Sequence, residues 1–314
     1  MKETTKLYLL LLTLFLFAIG LMAFLLYDSG LTMNTIRNMM EGRDFVVIRA
    51  EEARSSKTVS RLKPFKKILL DSASYAVDHR YPPQTEEGAR RGLSVLMYHN
   101  VYDPLDPPAG QTINDNYITT DTLEEELKYL TDEGYSFPDW EEVRRYVDGE
   151  IDLPEKSVVL TFDDGTDGFR KNGIPLLKKY NVPATAFIIV SRNGDKWVAD
   201  RDKYPDIDLE SHSYDMHKAG GRIGHGGIMT ALTYDQVLSD LQLSQQILGN
   251  SNAFAYPFGD VDMIGNCKTA VEDSGFLVAF TTKYGKVYPG DDPYLLPRMR
   301  VLRRNSLESF KTLL

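Results

Sequence analysis

Cysteine is nearly absent: Cys267 is the only one in 314 residues. A single thiol excludes an internal disulfide framework and any multi-cysteine zinc site, so a metal here would have to be held by histidine and carboxylate. Cys267 itself reads as a small buried apolar residue. Histidine is scarce too, with five in all, so any two that fall close together carry weight. An excess of positive charge is also missing. Lys and Arg number 36 against 45 Asp and Glu, giving a formal charge of -9 and a pI near 5.2. That balance argues against a nucleic-acid partner, whose phosphates have to be met by clustered cations. No internal repeat or low-complexity tract is visible. What is plentiful is apolar character, 42% hydrophobic against 26% charged, which suits one large globular domain with an accessory segment rather than a disordered chain.

Charge is wholly missing from Leu7–Tyr27, LYLLLLTLFLFAIGLMAFLLY, a run of 21 residues. As a helix it spans the ~30 Å of a bilayer core. A cleavable signal peptide would have a shorter apolar stretch and a small-residue cleavage site, and none follows. With Lys2 and Lys6 before the run and Asp28 after it, the expected arrangement is a cytoplasmic N-terminus over 1–6 and a single-pass helix over 7–27 in the cell membrane. Everything beyond would then lie outside the cytoplasm. Residues 28–91 show no sustained period, carry Arg61, Lys63, Lys66 and Lys67, and near their end have Pro82-Pro83. They read as an extracytoplasmic stalk, with His79 on its surface.

From residue 92 the pattern changes to short apolar runs alternating with helical periodicity, the signature of strand–helix units and a parallel sheet or barrel. Strands are expected at 93–98, 157–162, 184–190, 207–210, 253–256, 276–281 and 299–302. Helices are expected behind Thr122-x-x-Glu125, with Leu123, Leu127 and Leu130 inward and Gly134 closing it, and behind Thr233-x-x-Gln236, reaching Leu248. Two further helices stop at Asn181 and at Gly275. Seven roughly parallel strands suggest an α/β fold, a distorted (β/α)7 barrel over 92–314, with chemistry at the carboxyl ends of its strands.

Two groups of residues sit at such ends. Asp163-Asp164-Gly165 follows SVVLTF directly. Adjacent carboxylates can divide the labour if a metal neutralises one, leaving the other ionised as a base; the bland reading is a polar turn. His212 and His217 follow IDLE, five residues apart. On a helix they would lie ~140° apart, so a loop has to bring them together. With Asp164 they would make a His-His-Asp set that leaves coordination positions open.

Thr161-Phe162-Asp163-Asp164-Gly165, the two histidines and Tyr256-Pro257-Phe258-Gly259 occur in the order found in the polysaccharide deacetylase (NodB homology) family, which this chain resembles over roughly 93–314. Tyr98-His99-Asn100-Val101, the five-residue histidine spacing and Leu296-Pro297-Arg298 are similar to the branch that deacetylates poly-β-1,6-N-acetylglucosamine. The resemblance implies Asp163 as general base and Asp164, His212 and His217 as ligands of a divalent metal, with Zn2+ expected. It implies that the Tyr256-Pro257-Phe258 segment borders substrate and oxyanion, and that the partner is an acetylated glucosamine polysaccharide.

This sequence departs from the common family pattern in two places. No histidine follows His225, so His99 is the expected acid for the departing amine, and Ala255 stands where the family has an arginine. Arg298 is a candidate restraint on Asp163, or a structural ion-pair partner. His225 lies on the glycine-rich Gly220–Gly227 loop, which either lines the groove or is plain surface; it lacks the Gly-Lys-Ser/Thr ending of a phosphate loop. Trp140 and Trp197 could stack on sugars or fill the core. Peptidoglycan deacetylation and a non-catalytic glycan-binding role are the rival readings. An aspartyl phosphatase is not supported, because Phe162 stands where its D-x-D motif needs an aspartate.

Overall fold

The computed structural model describes residues 81–110, 112–249, 251–262 and 265–314. The apolar run at 7–27, His79 and the stretch 28–80 lie outside the described residues. Among the described residues, no helix is long and apolar enough to cross a membrane.

Among the described residues there are nine strands and seven α-helices. In chain order they are β1 (Ser94–Tyr98), β2 (Asn100–Tyr102), β3 (Tyr117–Thr119), α1 (Thr120–Asp132), α2 (Trp140–Val147), β4 (Val158–Phe162), α3 (Ile174–Tyr180), β5 (Ala184–Ile188), α4 (Val190–Ala199), β6 (Ile207–Ser211), α5 (Tyr234–Leu248), β7 (Ala253–Ala255), α6 (Asn266–Ser274), β8 (Val278–Tyr284), β9 (Leu296–Arg300) and α7 (Leu307–Lys311). Seven strands close a barrel in the order β1-β4-β5-β6-β7-β8-β9, and every neighbouring pair is parallel. The expected α/β barrel is therefore present. β2 and β3, which the alternation of apolar runs did not suggest, form a separate two-stranded parallel sheet.

Alternation along each strand sorts the side chains into two cores. Leu96, Tyr98, Leu160, Phe162, Ala186, Ile188, Ile207 and Leu209 face outward and join the helix-packed cluster with Leu123, Leu127 and Leu177. The opposite parity faces inward, where Val95, Val159, Phe187, Ala255, Phe280 and Leu296 share a cluster with Trp140, Val143 and Tyr146 of α2. α2 thus closes the base of the barrel, and Trp140 lies 6.2 Å from Phe187 and 5.2 Å from Phe280, ring to ring. Of its two readings Trp140 takes the core one, being 4% exposed. Cys267 is buried among apolar residues, as expected.

The structure corrects several boundaries. α1 begins one turn earlier than expected, because Thr119, not Thr122, is the N-cap and its hydroxyl accepts from the Thr122 amide at 3.1 Å. The capping box at Thr233–Gln236 forms as read, and an unread one, Asp139–Glu142, opens α2. Residues 81–91, assigned from sequence to the stalk, pack on the barrel domain instead. The Gln84 amide donates to Glu150 O, the Asp152 amide donates to Pro82 O at 2.9 Å, and the Thr85 hydroxyl donates to the Asp152 carboxylate at 2.6 Å. The last strand starts at Leu296 rather than 299, so Arg298 lies within it. Pro297 is tolerated there because β8 carries two extra residues opposite it: Phe280 pairs with Leu296 and Tyr284 with Arg298.

Candidate active site

The inward parity that fills the barrel also sets the site at its mouth. Continuing each strand one step gives His99 beyond β1, Asp163 beyond β4 and His212 beyond β6, and Arg298 lies on the inward parity of β9. Asp164 and Ser213, the next residues, would by alternation point outward. Both instead adopt φ of +73°, a left-handed conformation that costs a non-glycine residue on the order of 1–3 kcal/mol. The turn at Asp164 continues into Gly165 at φ +60°, and a side chain there would collide with Ile188 and Trp197. The Gly165 carbonyl accepts from Trp197 Nε1 at 3.0 Å and from Asn193 Nδ2 at 2.5 Å. Trp197 is therefore a fully buried brace under the Asp-Asp-Gly turn, not a sugar platform.

The turn at Ser213 begins the loop that carries His217 back toward His212. Asp240, on α5, accepts from the Tyr214 and Asp215 amides at 2.7 and 2.9 Å, and Arg192 donates to the His217 carbonyl at 2.9 Å. The two imidazoles end 4.9 Å apart, centre to centre. Asp164 Oδ1 lies 3.6 Å from His212 Nε2 and 3.3 Å from His217 Nε2. Ligand atoms of the three residues all fall within 4.8 Å of one another, and this is the one such cluster among the described residues.

The donor set fits a cation. His212 Nδ1 is 2.7 Å from the Ala255 carbonyl, which can only accept, so Nδ1 carries the proton and the Nε2 lone pair faces Asp164. Asp164 Oδ1, which faces both Nε2 atoms, is buried with no protein hydrogen-bond partner. Leaving it unsatisfied costs about 1–3 kcal/mol, so a carboxylate oxygen and two imidazole nitrogens converging on one point fit a positive ion between them. Burial, followed by the neighbouring His212, lowers the pKa of His217, which keeps its imidazole in the neutral form that a metal requires.

Asp163, beside this set, is 2% exposed. Burial alone pushes its carboxyl up, but the Arg298 guanidinium outweighs that and holds it well below the usual carboxylate range. The contact is a two-pronged fork, with Nη1 to Oδ1 at 2.8 Å and Nη2 to Oδ2 at 2.7 Å. Arg298 is itself fully buried, and further donates to the Thr161 hydroxyl at 3.1 Å and the Thr281 carbonyl at 3.2 Å. Burial lowers the pKa of His99, and the charges of Asp163 and Asp164 oppose that shift. Its Nδ1 has no protein partner.

The Tyr256–Gly259 motif divides. Tyr256 is wholly buried among Met216, Met229 and Cys267, its hydroxyl donating to Tyr294 O at 3.1 Å and its amide to Phe280 O at 3.0 Å. Its place in the motif is structural. Phe258, at φ +61°, lays its ring 4.3 Å from that of His217. Asp240, Asn193 and Asp260, which position these elements, carried no motif that sequence reasoning could use, although Asp260 directly follows Tyr256-Pro257-Phe258-Gly259.

Comparison with known proteins agrees with this geometry. Residues 150–275 match the family model described as polysaccharide deacetylase. The poly-β-1,6-N-acetyl-D-glucosamine N-deacetylase of Staphylococcus epidermidis is 27% identical over 287 residues, covering 81% of this chain and 96% of that one. In fold, the chain is similar to the Streptococcus pyogenes deacetylase PplD in complex with acetate, with a TM-score of 0.60 at 23% identity over 71% of this chain and 97% of that one. It is also similar to IcaB from Ammonifex degensii, with a TM-score of 0.56 at 23% identity over 71% and 95%. Fold, site and sequence thus converge, and the chain is an enzyme with a polysaccharide deacetylase domain, homologous over most of its length to poly-β-1,6-N-acetylglucosamine deacetylases.

Proposed function

We propose that this protein hydrolyses N-acetyl groups from the glucosamine residues of a cell-surface polysaccharide, poly-β-1,6-N-acetylglucosamine. The reaction would occur outside the membrane, with residues 7–27 as anchor, 28–80 as spacer and 81–314 as the catalytic domain. The observation that carries the reading is the pairing of two adjacent aspartates with different surroundings. Asp163 is held ionised by Arg298, and Asp164 is turned toward two imidazoles. The relative from Staphylococcus epidermidis, similar over most of this chain, bears the name of that substrate.

A divalent ion, with Zn2+ expected, would be held by Asp164, His212 and His217 and would supply Lewis acidity to the acetamide carbonyl and acidify an adjacent water. The protein's own groups do the rest. Asp163 takes the proton of the attacking water, and Arg298 keeps that carboxylate charged and aimed. The amides of Tyr256, Gly259 and Asp260 are engaged with Phe280, Tyr256 and Pro257 carbonyls, and proline has none, so Phe258 is the motif's donor to the developing oxyanion. His99, on the inward face of β1, protonates the departing amine. Burial weakens its hold on that proton. The products are acetate and a glucosamine unit.

Acetate release by the purified chain from poly-β-1,6-N-acetylglucosamine and from peptidoglycan, with and without chelator, tests the reading. Chelator-sensitive release from the first polymer is expected. Release from peptidoglycan alone would reassign the substrate, and silence on both with metal bound would favour a glycan-binding role.

A further inference from the structure

The glycine-rich segment after His217 is a built element. Ala219 and Gly227 form an antiparallel bridge, the Gly220 and Gly221 amides both donate to Gly226 O, and the Ile228 amide donates to Lys218 O at 2.8 Å. Gly227 lies so close to the Phe258 ring that a Cβ there would stand 2.9 Å from it. The hairpin therefore abuts the residue whose ring lies against His217. Its tip is tied down by Asp260, whose side chain is only 2% exposed. Oδ1 accepts from the His225 amide at 2.8 Å and Oδ2 from the Gly227 amide at 2.8 Å. Those two bonds are enough to pin the loop. The third contact is the informative one: His225 Nδ1 lies 3.2 Å from Asp260 Oδ1, while the His225 side chain is 70% exposed. A buried carboxylate thus orients an exposed imidazole on the hairpin that abuts Phe258, fixing the proton on Nδ1 and presenting the Nε2 lone pair to solvent.

We propose that His225, held by Asp260, is a substrate-binding residue whose Nε2 accepts a hydrogen bond from a hydroxyl of the glucosamine polymer, away from the acetamide being cleaved. This rests on the deacetylase reading above and adds a polymer contact to it. Because the backbone bonds to Asp260 do not involve the imidazole, His225→Ala leaves the hairpin pinned and removes only the acceptor.

The test compares wild type, His225→Ala and His225→Gln, all metal-loaded, on poly-β-1,6-N-acetylglucosamine and on 4-nitrophenyl acetate, an acetyl ester with no sugar. The loss of one neutral hydrogen bond should raise KM for the polymer about three- to tenfold in His225→Ala. The expected result has kcat nearly unchanged, ester hydrolysis and metal content as in wild type, and partial recovery in His225→Gln, whose amide oxygen can also accept. Equal loss on ester and polymer would show a structural role and overturn the proposal, as would an unchanged polymer KM. Wild type that cleaves the ester but releases no acetate from the polymer would instead refute the deacetylase reading itself, and the proposal with it.

Discussion

Asp163 and Glu210 are both acids on the inward parity of the barrel, and both are almost fully buried, at 2% and 4% exposure. They end in opposite charge states. Asp163 stands at the mouth within the fork of Arg298 and is held ionised. Glu210 stands two residues below His212, where its carboxylate accepts from backbone, the Ala253 amide at 2.8 Å. Burial pushes its pKa up to about 8, so at neutral pH it is mostly protonated. Glu126 repeats the case on the helix side, hydrogen-bonded by the Tyr98 hydroxyl at 3.0 Å and likewise pushed up to about 8 by burial. At Glu210 and Glu126, where no cation is buried with the acid, burial favours the neutral carboxyl. A charged base at the mouth therefore depends on Arg298 as much as on Asp163.

The largest effect should come from removing the mouth's own groups. Asp163→Asn is expected to lower kcat by at least ~10³-fold with metal content unchanged, since the Asn amide keeps the volume but cannot take a proton. His212→Ala should lose both turnover and metal. Metal analysis beside the kinetics separates the two roles, and equal metal loss in both variants would show that Asp163 is a ligand and not a base.

Arg298→Met should make Asp163 behave like Glu210. Stripping one partner from a buried pair costs about 3–5 kcal/mol, so a lowered melting temperature is expected. Where the variant folds, kcat/KM at neutral pH should fall about 10²-fold. A base must be ionised to act, and without the guanidinium burial raises the Asp163 pKa, so activity should climb with pH between 6 and 9, where wild type shows no such limb from this group. A loss of the same size at every pH would mean that Arg298 only shapes the site. His99→Asn probes the acid side and should lower kcat about 10²-fold with metal retained; unchanged turnover would remove His99 from the mechanism.

How much of this was legible in the sequence depended on whether a signal was local. Most of the barrel strands announce themselves as apolar runs, and Asp163, His99 and His212 stand at strand ends because the chain leaves a strand where its apolar run stops. β2 and β3 are three residues each, too short to show a period, whereas α2 was legible, since WEEVRRYV puts Trp140, Val143, Tyr146 and Val147 on one helical face behind the Asp139–Glu142 capping box. The convergence of His217 on Asp164 was expected from the motifs, but the means by which the chain achieves it was not readable. It depends on positive φ at Asp164 and Ser213 and on Asp240, which lies 23 residues beyond His217 and is indistinguishable in sequence from any surface acid of a helix. The Asp163–Arg298 fork joins residues 135 apart, a distance that only barrel closure spans. Arg298 as a restraint was one of two open readings, and the offset between Phe280–Leu296 and Tyr284–Arg298, which places it inside the last strand, left no mark in the sequence.

The smallest effect concerns the base of the barrel, where activity should not change. Glu210 binds a proton in the folded protein up to a pH of about 8, whereas an unfolded glutamate releases it near ~4.3. Between those values the native state holds the extra proton. The contribution of this group to stability is therefore complete below about pH 4 and is lost as pH rises toward 8. Glu210→Gln replaces it with a neutral side chain of the same shape. The variant should melt near wild type at pH 5 and several degrees above it at pH 8, the ~3 pH units between them corresponding to at most about 4 kcal/mol, with acetate release within about twofold of wild type. If wild type and variant lose the same number of degrees between pH 5 and 8, Glu210 is ionised in the folded barrel. Burial without a cation would then not be enough to neutralise an acid there, and the dependence of Asp163 on Arg298 would have to be argued from the site alone.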